Sequence, residues 1–260
     1  MKHFSVFFIK ELKEGWRSFK FLWMPLVFLL LGISDPLVNY FMDDILGTVG
    51  NMPEGFEILM PELSPADLLI ASTSQFQTIG VIVLVAIFAG AISRERQFGT
   101  ATLLYVRPIS YNAYFLSKWT VASLIAVLCA VAGYAGSIYY TAQLFGGVDT
   151  GRFFAMLATY CVWLLFVVAV TLAMSAAFKT ALAATLAILI VPGGLIVDAI
   201  VGSFWTMTPW KLGTYGVQIV KGEIVWKDYY GSLIITIALT VVFIVIGIMM
   251  SKRNAATTKI

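Results

Sequence analysis

The sequence predicts an all-α integral membrane protein with six transmembrane helices, and three observations carry that expectation. Apolar side chains make up 60% of the 260 residues and charged ones only 12%, about half the charged share of a soluble domain. A chain so composed, with a mean hydropathy of +0.91, cannot clothe itself in a water-facing surface. Its apolar runs are roughly 20 residues long, which suits helical spans rather than barrel strands. Its cations crowd into alternate connecting segments, as the topology of a multi-pass protein requires.

Residues 1–20 differ in kind from the rest of the chain. Phe4, Phe8, Leu12, Trp16 and Phe19 recur at four- and three-residue spacing, while Lys2, Lys10, Lys13, Glu14 and Arg17 fall mostly off that stripe. The pattern is that of an amphipathic helix lying in the bilayer interface, with Phe8, Leu12 and Trp16 as its anchors. A plain charged flank to the first span would explain the cations but not the stripe. No cleavable leader is visible, because the first long apolar run has no small-residue exit site.

Spans are expected at 21–42, 76–92, 119–140, 153–178, 181–202 and 231–250, within a membrane domain of residues 21–250. Only Lys179-Thr180 divides the fourth from the fifth. Val191-Pro192-Gly193-Gly194 is the competing break, since Pro removes a donor and Gly weakens a helix. Segments 1–20, 93–118, 179–180 and 251–260 hold five, four, one and three Lys/Arg, thirteen of the seventeen. The other side has only Arg152, Lys211, Lys221 and Lys227, and its loop 43–71 carries six acids and no cation. Both termini, including the tail 251–260, are therefore expected to be cytoplasmic.

Trp23 and Trp119 fall at the inner ends of their spans, and Trp205, Trp210 and Trp226 lie in the outer segment 203–230, where amphipathic rings settle. Ala122, Ala126 and Ala130 form a small-residue ridge on the third span. Such a ridge admits a close helix neighbour, inside one subunit or between two.

Several chemistries are excluded. The single histidine, His3, lies outside every span, so neither an H-E-x-x-H zinc site nor a Ser–His pair can be built. Cys129 and Cys161 sit inside apolar runs, which disfavours a disulfide or a metal pair. A net charge of +3 with no basic block gives no reason to expect nucleic acid as a partner. Asp35 and Asp198 are the only acids inside the expected spans. At 1.5 Å per residue they lie about 22 Å and 28 Å from the inner edges of their spans. Each either reaches the outer interface or contributes to a polar outer gate, with Arg152 and Lys211 as candidate partners. No G-x-x-x-x-G-K-[ST] loop occurs in the chain, so an ATP-driven activity would need a second polypeptide.

The segment 93–118 is longer than a tight connection requires. Residues 98–106 suit a short helix, ended by Arg107-Pro108. Arg94 and Arg96 satisfy the charge rule unaided, so Glu95 between them is not explained by topology. Gly99 and Thr100 allow close backbone approach. On these grounds the segment is either a basic loop touching anionic lipid or a docking element for a cytoplasmic partner.

The run Glu95-Arg96-x-x-Gly99-Thr100-x-x-Leu103-Leu104-x-x-x-Pro108-x-Ser110, followed by Lys118, resembles the cytoplasmic loop of ABC-2 type transporter permeases. Six spans, the interfacial first helix and the long segment between spans five and six resemble that family too. Thr102, Tyr111 and Ser117 depart from its usual acid, base and glycine. The resemblance implies a bacterial plasma-membrane exporter subunit that moves a hydrophobic or amphipathic substrate such as an antibiotic, peptide or lipid-like molecule outward. It implies two such subunits, alike or related, in the bilayer with two cytoplasmic ABC ATPase subunits that bind ATP and Mg, this chain binding no cofactor itself. It further implies a coupling helix within 93–118, with Arg94, Glu95, Arg96, Gly99, Thr100 and Pro108 facing the ATPase, and short re-entrant helices within 203–230. An ATP-independent secondary transporter or channel is the main alternative, although no inverted repeat is evident.

Overall fold

A computed structural model describes residues 2–42, 63–98 and 110–257. Every regular element in it is helical. Helix α1 (Lys2–Arg17) leads through a two-residue turn into α2 (Lys20–Tyr40). The second span is assembled from α3 (Pro65–Gln75), a π-helical turn (Phe76–Gly80), α4 (Val81–Phe88) and the short α5 (Ser93–Gln97). Then come α6 (Tyr111–Leu144), α7 (Thr150–Ala177), α8 (Thr180–Val201), α9 (Leu212–Lys221) and α10 (Trp226–Thr257). Six helical stretches are long and apolar enough to cross a bilayer: Lys20–Tyr40, Pro65–Gln97, Tyr111–Leu144, Thr150–Ala177, Thr180–Val201 and Trp226–Asn254. The second, third and fourth are more than half buried and form the centre, and less than a quarter of each of the other three is buried.

The second and third spans begin eight or more residues before their apolar runs, each for an identifiable reason. The second begins at Pro65 rather than at 76, so the end of the acidic segment 43–71 is helix, while 43–62 lies outside the described residues. Ser64 caps it, accepting from the Asp67 amide while the Asp67 carboxylate accepts from the Ser64 amide, with Pro65 in the first turn. The polar run that conceals this turn from a hydropathy argument is satisfied internally. Thr73 donates to the Leu69 carbonyl at 2.6 Å and shares a 2.8 Å bond with Tyr134, and Ser72 pairs with Ser137 at 2.8 Å. The third span starts at Tyr111 rather than 119, because Ser110 accepts from the Ala113 amide and nucleates the helix earlier. Lys118, expected at the end of a loop, is thereby carried on a helix.

Lys179 does divide the fourth and fifth spans, and Pro192 sits inside a continuous α8. The Trp210 indole donates to the Val191 carbonyl there. Segment 203–230 holds two short helical pieces, Pro209–Lys211 and α9, the latter closed by Gly222 in the left-handed region at φ 78°.

The small-residue ridge of the third span serves packing within the chain. Ala122, Ala126 and Ala130 are buried, and α2 lies against the same helix. The backbones approach so closely that a Cβ on Gly32 would collide with the Gly133 carbonyl oxygen. Because that neighbour is backbone, it cannot swing aside. Gly32→Ala is expected to destabilise the bundle by about 1–3 kcal/mol, measured as a lower thermal midpoint of the detergent-solubilised chain.

Candidate functional site

At the end of the bundle where α1 and the last turns of α10 lie, three elements distant in sequence meet through charge. The Lys118 side chain is 3% exposed, and its ammonium lies 2.8 Å from Glu11 Oε1 and 3.0 Å from Glu95 Oε1. Lys10 Nζ reaches Glu95 Oε1 at 2.7 Å and Glu11 Oε1 at 3.1 Å. Tyr114 donates its hydroxyl to Glu95 Oε2 at 2.6 Å. Its ring also underlies the Lys118 ammonium at 5.3 Å and receives Phe7 edge-on at 5.9 Å. Glu14 completes the rim, 3.8 Å from Lys10.

Local helix geometry explains who arrives. On α1 the face turned to the bundle runs through Phe4, Phe7, Phe8, Glu11, Leu12 and Gly15, the three- and four-residue spacing of one helical stripe. On α6, Tyr114 and Lys118 are four apart and therefore neighbours. Glu95 comes from α5, the last turn of the second span.

The electrostatics decide what such an arrangement is for. Lys118, Glu11 and Glu95 are largely withdrawn from water, with Lys10 at the rim, and the desolvation cost of buried ions offsets most of their attraction. The cluster is therefore a device of position more than of stability, because α1 can dock in only one register that satisfies all four charges. Burial works against the Lys10 ammonium, but the Glu11 charge and the hydrogen bond and charge of Glu95 outweigh it and raise its pKa above the ordinary lysine value. Stability from a raised pKa is lost only as pH climbs through the folded value, so this lock holds throughout the physiological range. Glu11, Glu14 and Glu95 oxygens lie within 4.8 Å of one another, a spacing explained by the lysines among them.

The neighbouring turn is fastened to the corner between the fourth and fifth spans. The Arg96 guanidinium donates to the Ala176 and Phe178 carbonyls at 2.8 and 2.6 Å, capping the end of α7. Ser175 Oγ accepts from the Ile92 and Ser93 amides, and Ser93 pairs with Thr180 at 2.7 Å. Arg94 is exposed. Gly99, Thr100 and Pro108, with the expected short helix at 98–106, lie outside the described residues apart from Phe98.

Among the expected anchors of α1, Phe8 and Leu12 are half-buried against the core, but Trp16 is 73% exposed. Phe19 is not on α1 at all; it occupies the left-handed region at φ 56° in the turn to α2. The bundle-facing stripe is thus rotated from the one the largest aromatics suggest, and Phe7, Glu11 and Gly15 replace Trp16 and Phe19 on it. Lys10, Glu11 and Tyr114 are site residues that sequence reasoning missed.

The two acids within the spans have separate partners at the opposite end. Asp35 accepts from Gln75 Nε2 at 2.6 Å. Asp198, almost fully buried, pairs with Lys211 at 3.3 Å and accepts from the Trp205 indole at 3.1 Å. Arg152, the other candidate partner, instead reaches the Val220 carbonyl. Asp198 and Lys211 border an open cleft of about 400 Å³ whose other polar walls include Ser74, Gln77 and Thr78. Lys221 bonds Asp67 at 3.0 Å, so ion pairs tie the segment between spans five and six to both the fifth and the second span.

Residues 6–211 match the model of a family described as ABC-2 family transporter protein. The chain belongs to the ABC-2 transporter family. It is also 34% identical over 180 residues to the uncharacterized transmembrane protein YxlG of Bacillus subtilis (strain 168), covering 69% of this chain and 70% of that relative. For an ABC-2 chain the matched region is informative, because it contains both charge clusters: Lys10, Glu11, Glu95 and Lys118 at one end, Asp198 and Lys211 at the other.

Proposed function

We propose that this ABC-2 chain is the transmembrane subunit of an ATP-driven exporter, moving a hydrophobic or amphipathic substrate outward with a second permease subunit. The work comes from a separate pair of ATPase subunits that bind ATP and Mg at the end where α1 and the last turns of α10 lie, which this reading places in the cytoplasm of a bacterial cell. The observation that carries it is the buried cluster of Lys10, Glu11, Glu95, Tyr114 and Lys118. It welds α1 to the start of the third span and to the turn that opens segment 93–118. A push on that segment is then delivered to α1 and to two spans together, rather than dissipated in a loop. The test is to purify the tagged chain from its native membrane and assay for a co-purifying, ATP-hydrolysing subunit. A chain that moves substrate along an ion gradient without any ATPase is instead a secondary transporter or channel.

At the far end, the Asp198–Lys211 pair and the Asp35–Gln75 bond support an outer gate that parts as substrate leaves. Asp198→Ala and Asp35→Ala are expected to lower export of a substrate panel by reconstituted complex while leaving ATPase association intact. Full export by both variants removes the gate.

A further inference from the structure

Lys13 and Arg17 stand one turn apart on the exposed side of α1, and neither has an ion-pair partner among the described residues. Like charges at this spacing repel, so an isolated helix gains nothing from them. Among the described residues, no acidic side chain at this end is left over to pair with them. The acidic side chains there are Glu11, Glu14 and Glu95, all engaged with Lys10 or Lys118, and segments 99–109 and 258–260 contain no Asp or Glu. In the sequence, segments 1–20, 93–118, 179–180 and 251–260 together carry thirteen Lys and Arg against those three acids.

The two cations separate an apolar wall from a polar one. An open groove of about 470 Å³ is walled by Leu12, Lys13, Trp16, Arg17 and Phe21, and a second, of about 840 Å³, meets it at Lys13 and Arg17 and adds Val6 and Ile9 together with Lys10, Glu14 and Ser18. Trp16 and Phe19 are exposed, Phe19 with a backbone conformation that side chains adopt only at a steric cost. From this corner the exposed residues Leu22, Leu26 and Leu30 run up α2 at four-residue spacing. A cationic pair at the foot of an apolar ridge, with an indole and a phenyl ring between, has the layout of a lipid: charged headgroup, interface, acyl chain.

We propose that Lys13 and Arg17 form a headgroup site for an anionic phospholipid of the surrounding bilayer, whose chain lies along the α2 ridge. The site stands apart from the transport reading and needs only that the chain spans a membrane. Occupied, it places a lipid against the same helix that the buried charge cluster locks, so lipid composition acts on the position of α1.

The test uses the full chain, delipidated in neutral detergent and offered phosphatidylglycerol or phosphatidylcholine with identical acyl chains, with retained lipid counted by native mass spectrometry. The expected result is about a 25-fold preference for phosphatidylglycerol, roughly fivefold from each cation. The preference collapses in K13Q/R17Q and survives in K13R/R17K. Trp16→Ser lowers retention of both lipids but keeps the preference. An undiminished preference in K13Q/R17Q overturns the site, and displacement of phosphatidylglycerol by equimolar glycerol phosphate overturns the lipid assignment. Both cations are exposed, and a thermal midpoint for K13Q/R17Q equal to wild type shows that the fold is not the cause.

Discussion

Replacing Lys118 by Met is expected to lower the stability of the bundle by about 3–5 kcal/mol, the cost of stranding buried charge. Met preserves the length of the stem and removes only the ammonium, so Glu11 and Glu95 lose the cation that lies 2.8 and 3.0 Å from them. Lys10, at the more exposed rim, then faces both carboxylates alone. The measurement is thermal unfolding of the purified chain in detergent. Adding Glu11→Gln to Lys118→Met is expected to restore part of the loss, with an interaction of about 0.5–3 kcal/mol, because the two groups share one network. Additive effects, or a Lys118→Met chain as stable as wild type, would mean that water screens this cluster.

Glu95→Gln has the second large effect, on coupling rather than folding. Gln keeps the volume and can still bond Tyr114, but it removes the charge that holds Lys10 to α5 and neutralises Lys118. With that tie loosened, a push on segment 93–118 no longer reaches α1. The expected outcome is an assembled complex whose transport-linked ATP turnover falls by about 2- to 30-fold, corresponding to ~0.5–2 kcal/mol of coupling. Glu95→Asp, which keeps the charge on a shorter stem, is expected to retain more turnover than Glu95→Gln. Equal losses in the two variants would point to shape rather than charge.

The range of each interaction sets how much of the molecule is legible in its sequence. Six spans are visible because apolarity is a local property, and Lys179 is enough to divide two of them. The first eleven residues of the second span, Pro65–Gln75, are not visible, because Ser72, Thr73, Ser74 and Gln75 look like loop until their neighbours Ser137, Tyr134 and Asp35 are known. Glu95 draws notice as an acid that a basic segment does not need. Glu11 is open to the same argument, and its three- and four-residue spacing from Phe7, Phe8 and Gly15 marks the face that α1 turns to the bundle. Lys118 could not be placed from sequence, since a lysine after a loop is ordinarily solvated and only the fold brings Glu11 and Glu95 to 2.8 and 3.0 Å from it. Asp198 stands out as an acid within an apolar span, and of Arg152 and Lys211 it is Lys211 that it pairs with.

The central claim is that α1, α5 and the start of α6 act as one block moved by an external motor. Hydrogen–deuterium exchange on the chain purified with its ATPase, without nucleotide and with a non-hydrolysable ATP analogue and Mg, tests it most directly. Peptides covering Lys2–Arg17, Ser93–Gln97 and the first turns of Tyr111–Leu144 are expected to change together on nucleotide binding, and to change independently in Glu95→Gln. A nucleotide response in Ser93–Gln97 that leaves Lys2–Arg17 unaltered in the wild-type complex would contradict it.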